Sequence, residues 1–380
     1  MKEYKLSMLG KIVTGYTPST KIIQNYSAND YMFVGPSDLK KQRFIKRTDK
    51  YISEYAMRQS TNRQLCSGDI VVDCIGSDMG NVGIITASSI SNQQINAITN
   101  INNQIVNNIY LYYLLTTKKS YLHQIGMNGS TMPIISKTLF ESVVVNIHDL
   151  KIQQHIVDTI GSIDDLIESK QKENDKINLL IQSLFRKYTN NVEKIRIGEL
   201  EGYAIIKSGI IDFEGSKIYL DTASVDKNGI SSRDYIITMT EKPSRANMQP
   251  IPKSIWFAKL KDSPKFLFVQ DYMKDILKDY IFSTGFLGLE AQTRFIANYL
   301  YALITSNDFD VQKNALSIGA TMQGINNDSF KEIMVPCLSI DQMNSIGEGF
   351  DNLLVQIYSN NRKIQELNNL KQLYLKKFFG

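Results

Sequence analysis

Few residues of this chain have the types and spacing that catalysis needs. The three histidines, His123, His148 and His155, have no metal-ligand or triad partners at a recognisable spacing. Asp69 and Asp73 lie on one strand-like run, as paired nuclease carboxylates could, but no lysine follows where such a site would need one. An adenine methyltransferase needs an Asn/Asp-Pro-Pro-aromatic loop to hold the flipped base, and all eight prolines are isolated. No GxxxxGK(S/T) phosphate loop occurs. Gly347-Glu348-Gly349 is a lone GxG inside a helical run and reads as a bend. Cys66, Cys74 and Cys337 are too scattered for a disulfide framework and fit a reducing compartment. Cys66 and Cys74 read as small buried apolar residues. The chain is expected to recognise rather than to catalyse, and to hold no metal.

The elements that would carry recognition come from the length and the repeat. A chain of 380 residues is long enough for two domains. Apolar content of 43% and charged content of 21% are ordinary for a globular protein. A net charge of +5 and a pI of about 8.8 admit nucleic acid without requiring it; a solvated basic surface accounts for them equally well. The first residues, MKEYKLSMLGK, lack the apolar stretch of a signal peptide, and no apolar run approaches the roughly 18 residues that cross a bilayer. A cytoplasmic location without a membrane partner is expected.

Residues 129–188 and 319–378 repeat each other at an offset of 190. Gly129, Thr131, Met132, Ile135, Phe140, Val145 and Ile156 meet Gly319, Thr321, Met322, Ile325, Phe330, Val335 and Ile346. Each copy runs from a Gly-rich turn through a short strand into a long helix. A period this long marks a duplicated domain rather than a solenoid. Asp149 is the expected N-cap of the first long helix, and Ser339 with Gln342 forms a capping box for the second. The seam of the first helix reads Ile163, Leu166, Lys170, Ile177, Leu180 and Leu184; that of the second reads Phe350, Leu353, Ile357, Ile364, Leu367 and Tyr374. Both helices are polar in the middle, Ser169 to Lys176 and Ser359 to Lys363, which reads mostly as a solvated face. Glu173 and Asn360 fall on the seam and are expected to fix register. Gly161, Gly347 and Gly349 are expected to bend the helices. About 38 helical residues span on the order of 55–60 Å.

The intervening regions read as diverged mixed α/β units. In the first, GDIVVDCIGSDMGNVGIIT (68–86) gives two strands around a Gly-flanked exposed loop, and 108–123 reads as a helix. In the second, KIRIGEL (194–200) echoes KLSMLGKI (5–12), and 237–252 reads as a three-proline loop. SIWFAKLKDSPKFLFV (254–269) gives two strands about a turn, and 297–313 reads as a helix. The expected fold class is α+β. Two mixed α/β bodies (1–148 and 191–338) alternate with two long antiparallel coiled-coil helices (149–190 and 339–380), with an internal pseudo-two-fold repeat.

In this order the motifs resemble the specificity subunit of type I restriction–modification systems over essentially the whole chain. LGKIVTGYTPS, GDIVVDCIGSDMGNVGII and GSTMPIISKTLFESVVVNI carry the resemblance in the first half; KPSRANMQP, IWFAKLKDSPK, FSTGF and GATMQGINNDSFKEIMVPC carry it in the second. The resemblance implies a DNA-reading subunit without catalysis of its own. Two target recognition domains would each read one part of a split duplex target. The paired helices would set the gap and dock two methyltransferase subunits, with restriction subunits joining through the complex. S-adenosylmethionine, Mg and ATP would belong to those partners, so this chain needs no cofactor. His148-Asp149 departs from the proline-containing turn usual before the first helix, and Met132-Pro133 stands where the second copy has Met322-Gln323.

Under that reading, exposed loops with Gly, small polar and basic residues are the DNA-contact candidates. In the first half these are Gly15, Tyr16, Thr17, Ser77, Asp78, Met79, Asn81, Ser130, Thr131 and Met132. In the second they are Lys242, Ser244, Arg245, Asn247, Ser283, Thr284, Lys313, Thr321 and Gln323. Arg245 and Asn247 stand out, because arginine reads guanine bidentately and asparagine adenine. A merely structured turn at PSRAN is the competing reading, as it is for the repeated Gly-Thr-Met turn. Two other functions remain open at this stage: a stand-alone DNA-binding regulator, and a coiled-coil adaptor that binds no DNA.

Overall fold

A computed structural model describes residues 1–380 except 41, 128–131, 227–228 and 320–322. The chain divides into two compact units, Met1–Glu168 with Ile364–Gly380, and Ser169–Lys363. Each unit therefore holds one globular body and a part of each long helix.

In the first unit a five-stranded sheet has the order Lys11–Thr14, Ile95–Thr99, Ile70–Asp73, Val82–Ile85, Phe44–Ile45. Its neighbours are antiparallel except for the last pair. A second sheet runs Tyr26–Ser27, Lys50–Ile52, Tyr31–Val34, Ser89–Ser91, with the last pair parallel. In the second unit the main sheet is ordered Tyr203–Ile205, Phe286–Ala291, Ser254–Ala258, Phe266–Val269. Its companion is ordered Ile236–Thr238, Ser216–Leu220, Tyr280–Ser283, Ala246–Met248, with the middle pair parallel. The main sheets match strand for strand over four strands, so the duplication visible in the helices extends into the diverged bodies. Both bodies also close in the same way. Lys2–Lys5 pairs with Val144–Ile147, and Lys194–Arg196 pairs with Met334–Pro336.

The helical runs expected at 108–123 and 297–313 are each two helices: Asn108–Thr116 then Lys119–Gly126, and Arg294–Ile304 then Asn307–Ala315. At both breaks hydroxyls bond backward to the preceding turn. Thr116 and Thr117 donate to the carbonyls of Tyr113 and Leu114, and Thr305 donates to that of Tyr301, while Ser306 caps the next helix. The expected three-proline loop contains the strand Ala246–Met248. Cys74 is buried as expected, whereas Cys66 is exposed, because its turn is held by its amide donating to Asp69 Oδ2 at 2.7 Å.

The long helices span Leu150–Thr189 and Ile340–Phe379, 40 residues each. Asp149 Oδ1 accepts the Ile152 amide at 3.0 Å, and Ser339 and Gln342 make the reciprocal capping box at 3.3 and 2.9 Å. The helices pair antiparallel. In the first unit Lys371 Nζ meets Asp164 Oδ1 at 2.8 Å while His155 packs on Phe378; in the second Asn360 meets Asn174. On the second helix Phe350 is buried and Leu353, Ile357, Ile364, Leu367 and Tyr374 pack inward, as the spacing predicts. On the first, Ile163 is buried and Ile177 and Leu184 pack inward, but Leu166 and Leu180 are 52% and 47% exposed. The buried positions between them are Ile167, Asn174 and Ile181. The inner face passes one residue later than a strict three-then-four reading puts it. The polar seam position is accordingly Asn174 rather than Glu173, which is half exposed and pairs with Lys170 at 2.9 Å. Gly347 permits close packing: a Cβ there would lie 1.8 Å from the Phe295 carbonyl oxygen.

Arg43 ties the first body to its helix. Its buried guanidinium donates to Tyr113 Oη at 2.9 Å and to Asp165 at 2.6 Å, and lies 3.2 Å from Glu168. Tyr113 Oη in turn donates to Asp164 at 2.9 Å.

Candidate nucleic-acid interface

Two surface patches are built in each unit. The first lies at the tip of a hairpin of the main sheet. In the first unit, Gly76 and Gly80 turn the chain with φ of 112° and 93°, which only glycine adopts without strain. Asp73 fixes the loop from beneath, accepting the Asn81 amide at 2.7 Å and the Asn81 side chain at 2.8 Å. Burial pushes the Asp73 carboxyl up, and the Asn81 bonds pull against that shift. Asp69 and Asp73 thus organise turns rather than a nuclease centre. The Gly76 amide donates to the Pro133 carbonyl at 3.0 Å, which brings Ser77, Asp78 and Asn81 beside exposed Met132. Lys119 Nζ reaches Asp78 at 2.6 Å and Asn81 Oδ1 at 2.8 Å, and Lys40 Nζ reaches Asp78 at 2.5 Å. The hydrogen bonds from Lys119 and Lys40 hold the Asp78 carboxyl below the usual range.

The second unit repeats this construction with other residues. The turn between Ser254–Ala258 and Phe266–Val269 places Asp262 at φ 55°. Lys261 donates to the Gln323 backbone oxygen and, through Nζ, to Gln323 Oε1, both at 2.9 Å. Asn314 Oδ1 accepts the Asp262 amide at 2.9 Å.

The other patch lies on the companion sheet. In the second unit the edge strand Ala246–Met248 faces Tyr280–Ser283. PSRAN is a structured turn, with the Ala246 amide on the Pro243 carbonyl at 2.9 Å, and it leaves Ser244 and Arg245 exposed. The Arg245 carbonyl accepts the amides of Asn247 and Thr284, each at 2.9 Å, so these three residues share one surface with half-buried Lys242. In the first unit Tyr16 is exposed with the Arg63 guanidinium 4.9 Å over its ring, and Thr17 donates to Gln93.

Four expected contact residues are buried. Gly15 packs so tightly that a Cβ would lie 1.9 Å from the Asn92 carbonyl oxygen. Met79 belongs to the core, and Ser283 sits inside the sheet. Lys313, 2% exposed, spends its ammonium on the Ser263 carbonyl and on Asp310, both at 2.9 Å. Their exposure is corrected: each holds a tip or sheet rather than presenting itself. Ser130, Thr131 and Thr321 lie outside the described residues. Lys40, Arg63, Lys119 and Lys261 went unread. The lysines flanking the turn in KLKDSPK were a usable signal for Lys261, whereas Lys40 reaches the tip only through the tertiary fold.

Residues 1–179 match the family model for the type I restriction modification DNA specificity domain. That part of the chain is similar to the DNA specificity domain of the type I restriction–modification family. Among curated members it is similar to the MjaIX specificity subunit of Methanocaldococcus jannaschii, 30% identical over 196 residues, which are 50% of this chain and 44% of that one. It is also similar to the MjaVIII specificity subunit of the same organism, 25% identical over 186 residues, covering 45% and 42%. The matched stretch spans under half the length of these curated relatives. The S subunit of a type I restriction–modification system from M. genitalium shares the fold, with a TM-score of 0.52 at 15% identity over 100% of this chain and 96% of that one. The expected fold class of a specificity subunit, α+β bodies with long paired helices, is borne out. Among the described residues no helix is long and apolar enough to cross a membrane, and no group of three or more His, Cys, Asp or Glu could hold a metal ion.

Proposed function

We propose that this chain is the DNA-recognition subunit of a type I restriction–modification complex and is itself non-catalytic. Residues 1–148 and 191–338 each read one part of a split duplex target. The helices 149–190 and 339–380 set the gap and dock two methyltransferase subunits, and restriction subunits join through that complex. S-adenosylmethionine, Mg and ATP act on those partners. One observation carries the reading: the same four-strand order recurs in both bodies, while their surface patches carry different residues. Two copies of one scaffold with different tips suit a bipartite target, whereas a simple adaptor gains nothing from diverged tips. The family match and the fold shared along the whole chain support it further.

Methylome sequencing with and without the gene tests the reading. Loss of one split adenine-methylation motif is the expected result, and an unchanged methylome sinks it. A stand-alone regulator would purify without a methyltransferase subunit, and a pure adaptor would give no salt-dependent shift of duplex DNA.

A further inference from the structure

The hairpin tip of the first unit carries an anion of its own. Asp78 receives two ammonium groups, Lys119 Nζ on Oδ1 at 2.6 Å and Lys40 Nζ on Oδ2 at 2.5 Å. All three side chains are about half exposed, at 55%, 42% and 50%. Lys119 comes from the helix Lys119–Gly126 and Lys40 from the segment after the helix Pro36–Leu39, so the cluster is assembled by the fold and not by one local run. Two lysines converging on the two oxygens of one oxyanion is also how lysines hold a phosphate. The loop is fixed from below by Asp73 and its two glycines, so the carboxylate can leave without the tip losing its shape. Exposed ion pairs of this kind add little to folding, so the cluster matters more for local charge than for stability. The tip of the second unit differs, since Lys261 Nζ donates to the neutral side-chain amide of Gln323.

We propose that Lys40 and Lys119 form a phosphodiester site for the backbone of duplex DNA, and that Asp78 occupies this site until a DNA phosphate displaces it. The proposal rests on the DNA-reading function given above. Any duplex must break both ion pairs to use the site, whereas only a matching target repays that cost through base contacts. Asp78 thereby lowers non-specific affinity more than specific affinity.

The test uses Asp78→Asn in the full chain, purified with its methyltransferase subunit, and follows binding of an off-target duplex across a salt series. The expected result is a three- to tenfold gain in off-target affinity. The plot of log K against log salt should also steepen by about 0.9 for each phosphate gained. Adding Lys40→Ala and Lys119→Ala to Asp78→Asn should remove that gain. A folded Asp78→Asn complex with unchanged or weaker off-target binding overturns the proposal. So does a gain that persists after both lysines are removed. Inorganic phosphate at matched ionic strength should compete with the duplex and shrink the difference, and a difference that phosphate leaves untouched also overturns the phosphodiester assignment. A wild-type complex that binds no duplex at any salt concentration would instead overturn the DNA-reading function itself.

Discussion

Asn360 Nδ2 donates to Asn174 Oδ1 at 2.9 Å between the two long helices, and Asn174 Nδ2 donates onward to Asn361 Oδ1 at 2.8 Å. Asn360 is 2% and Asn174 9% exposed, and the neighbouring inward positions of the first helix, Ile167 and Ile181, are buried. Replacing one partner strands a buried amide, so Asn360→Leu is expected to cost about 1–3 kcal/mol. Asn174→Leu with Asn360→Leu together should cost less than the sum of the single changes, because the pair is removed as a unit. Urea denaturation of the four proteins measures this, and strictly additive losses would contradict the coupling.

At Gly347 the second long helix packs closely on its body. The Phe295 carbonyl stands 1.8 Å from the place a Cβ would take, and Asn298 Nδ2 donates to the Gly347 carbonyl at 3.1 Å. Gly347→Ala must push the helices apart and is expected to destabilise by about 1–3 kcal/mol, as overpacking does. Gly349, whose Cβ position is open, should accept alanine with little loss or a small gain from helix propensity. Equal thermal shifts for the two variants would refute the packing argument.

His148 links acidity to stability. Its Nδ1 lies 2.8 Å from Tyr110 Oη, and burial lowers its pKa below the ordinary 6.5. In the window from 6.5 down to the lowered folded value, the unfolded chain binds more protons than the folded one, so stability falls as the pH drops. Melting temperatures across that window should decline in the wild type and decline less in His148→Gln. Parallel curves would remove His148 from the account.

Under the proposed DNA-reading role, Arg245 and Lys242 separate sequence reading from plain charge. Arg245→Ala should relax one position of the half-site read by the second body, at about 1–3 kcal/mol of discrimination. Lys242→Ala should weaken all duplexes alike and flatten the salt slope by about 0.9 if it meets one phosphate. Methylome motifs and binding isotherms of the two variants distinguish these outcomes. An unchanged motif with Arg245→Ala would assign PSRAN to architecture.

The sequence made the large-scale architecture readable because duplication leaves a strong signal. The offset repeat, the caps at Asp149 and Ser339 and the hairpin in IWFAKLKDSPK all depend on local rules, and they hold. The first seam slipped because Ile163, Ile177 and Leu184 fit two adjacent faces, and the intervening leucines are apolar on the wrong one. Lys313 shows a different limit. A lysine in a helix next to a loop has no local mark that its ammonium will be enclosed by a carbonyl 50 residues away. Met79 and Gly15 sat inside correctly placed loops, but loop position does not say which side chains point inward.

The strand pairs Lys2–Lys5 with Val144–Ile147, and Lys194–Arg196 with Met334–Pro336, have a consequence for how such a molecule can change. Through each pair the chain comes into a body and goes out of it side by side, so the covalent link to everything between the two strands is a single antiparallel stem. A body can then be exchanged as a cassette: an insert that keeps the stem and the helix-facing contacts, such as Arg43 on Asp165 or Asn298 on Gly347, meets the same helices. Substitution can then rewrite the surface of one half while leaving the other half, and the helical frame, as they were.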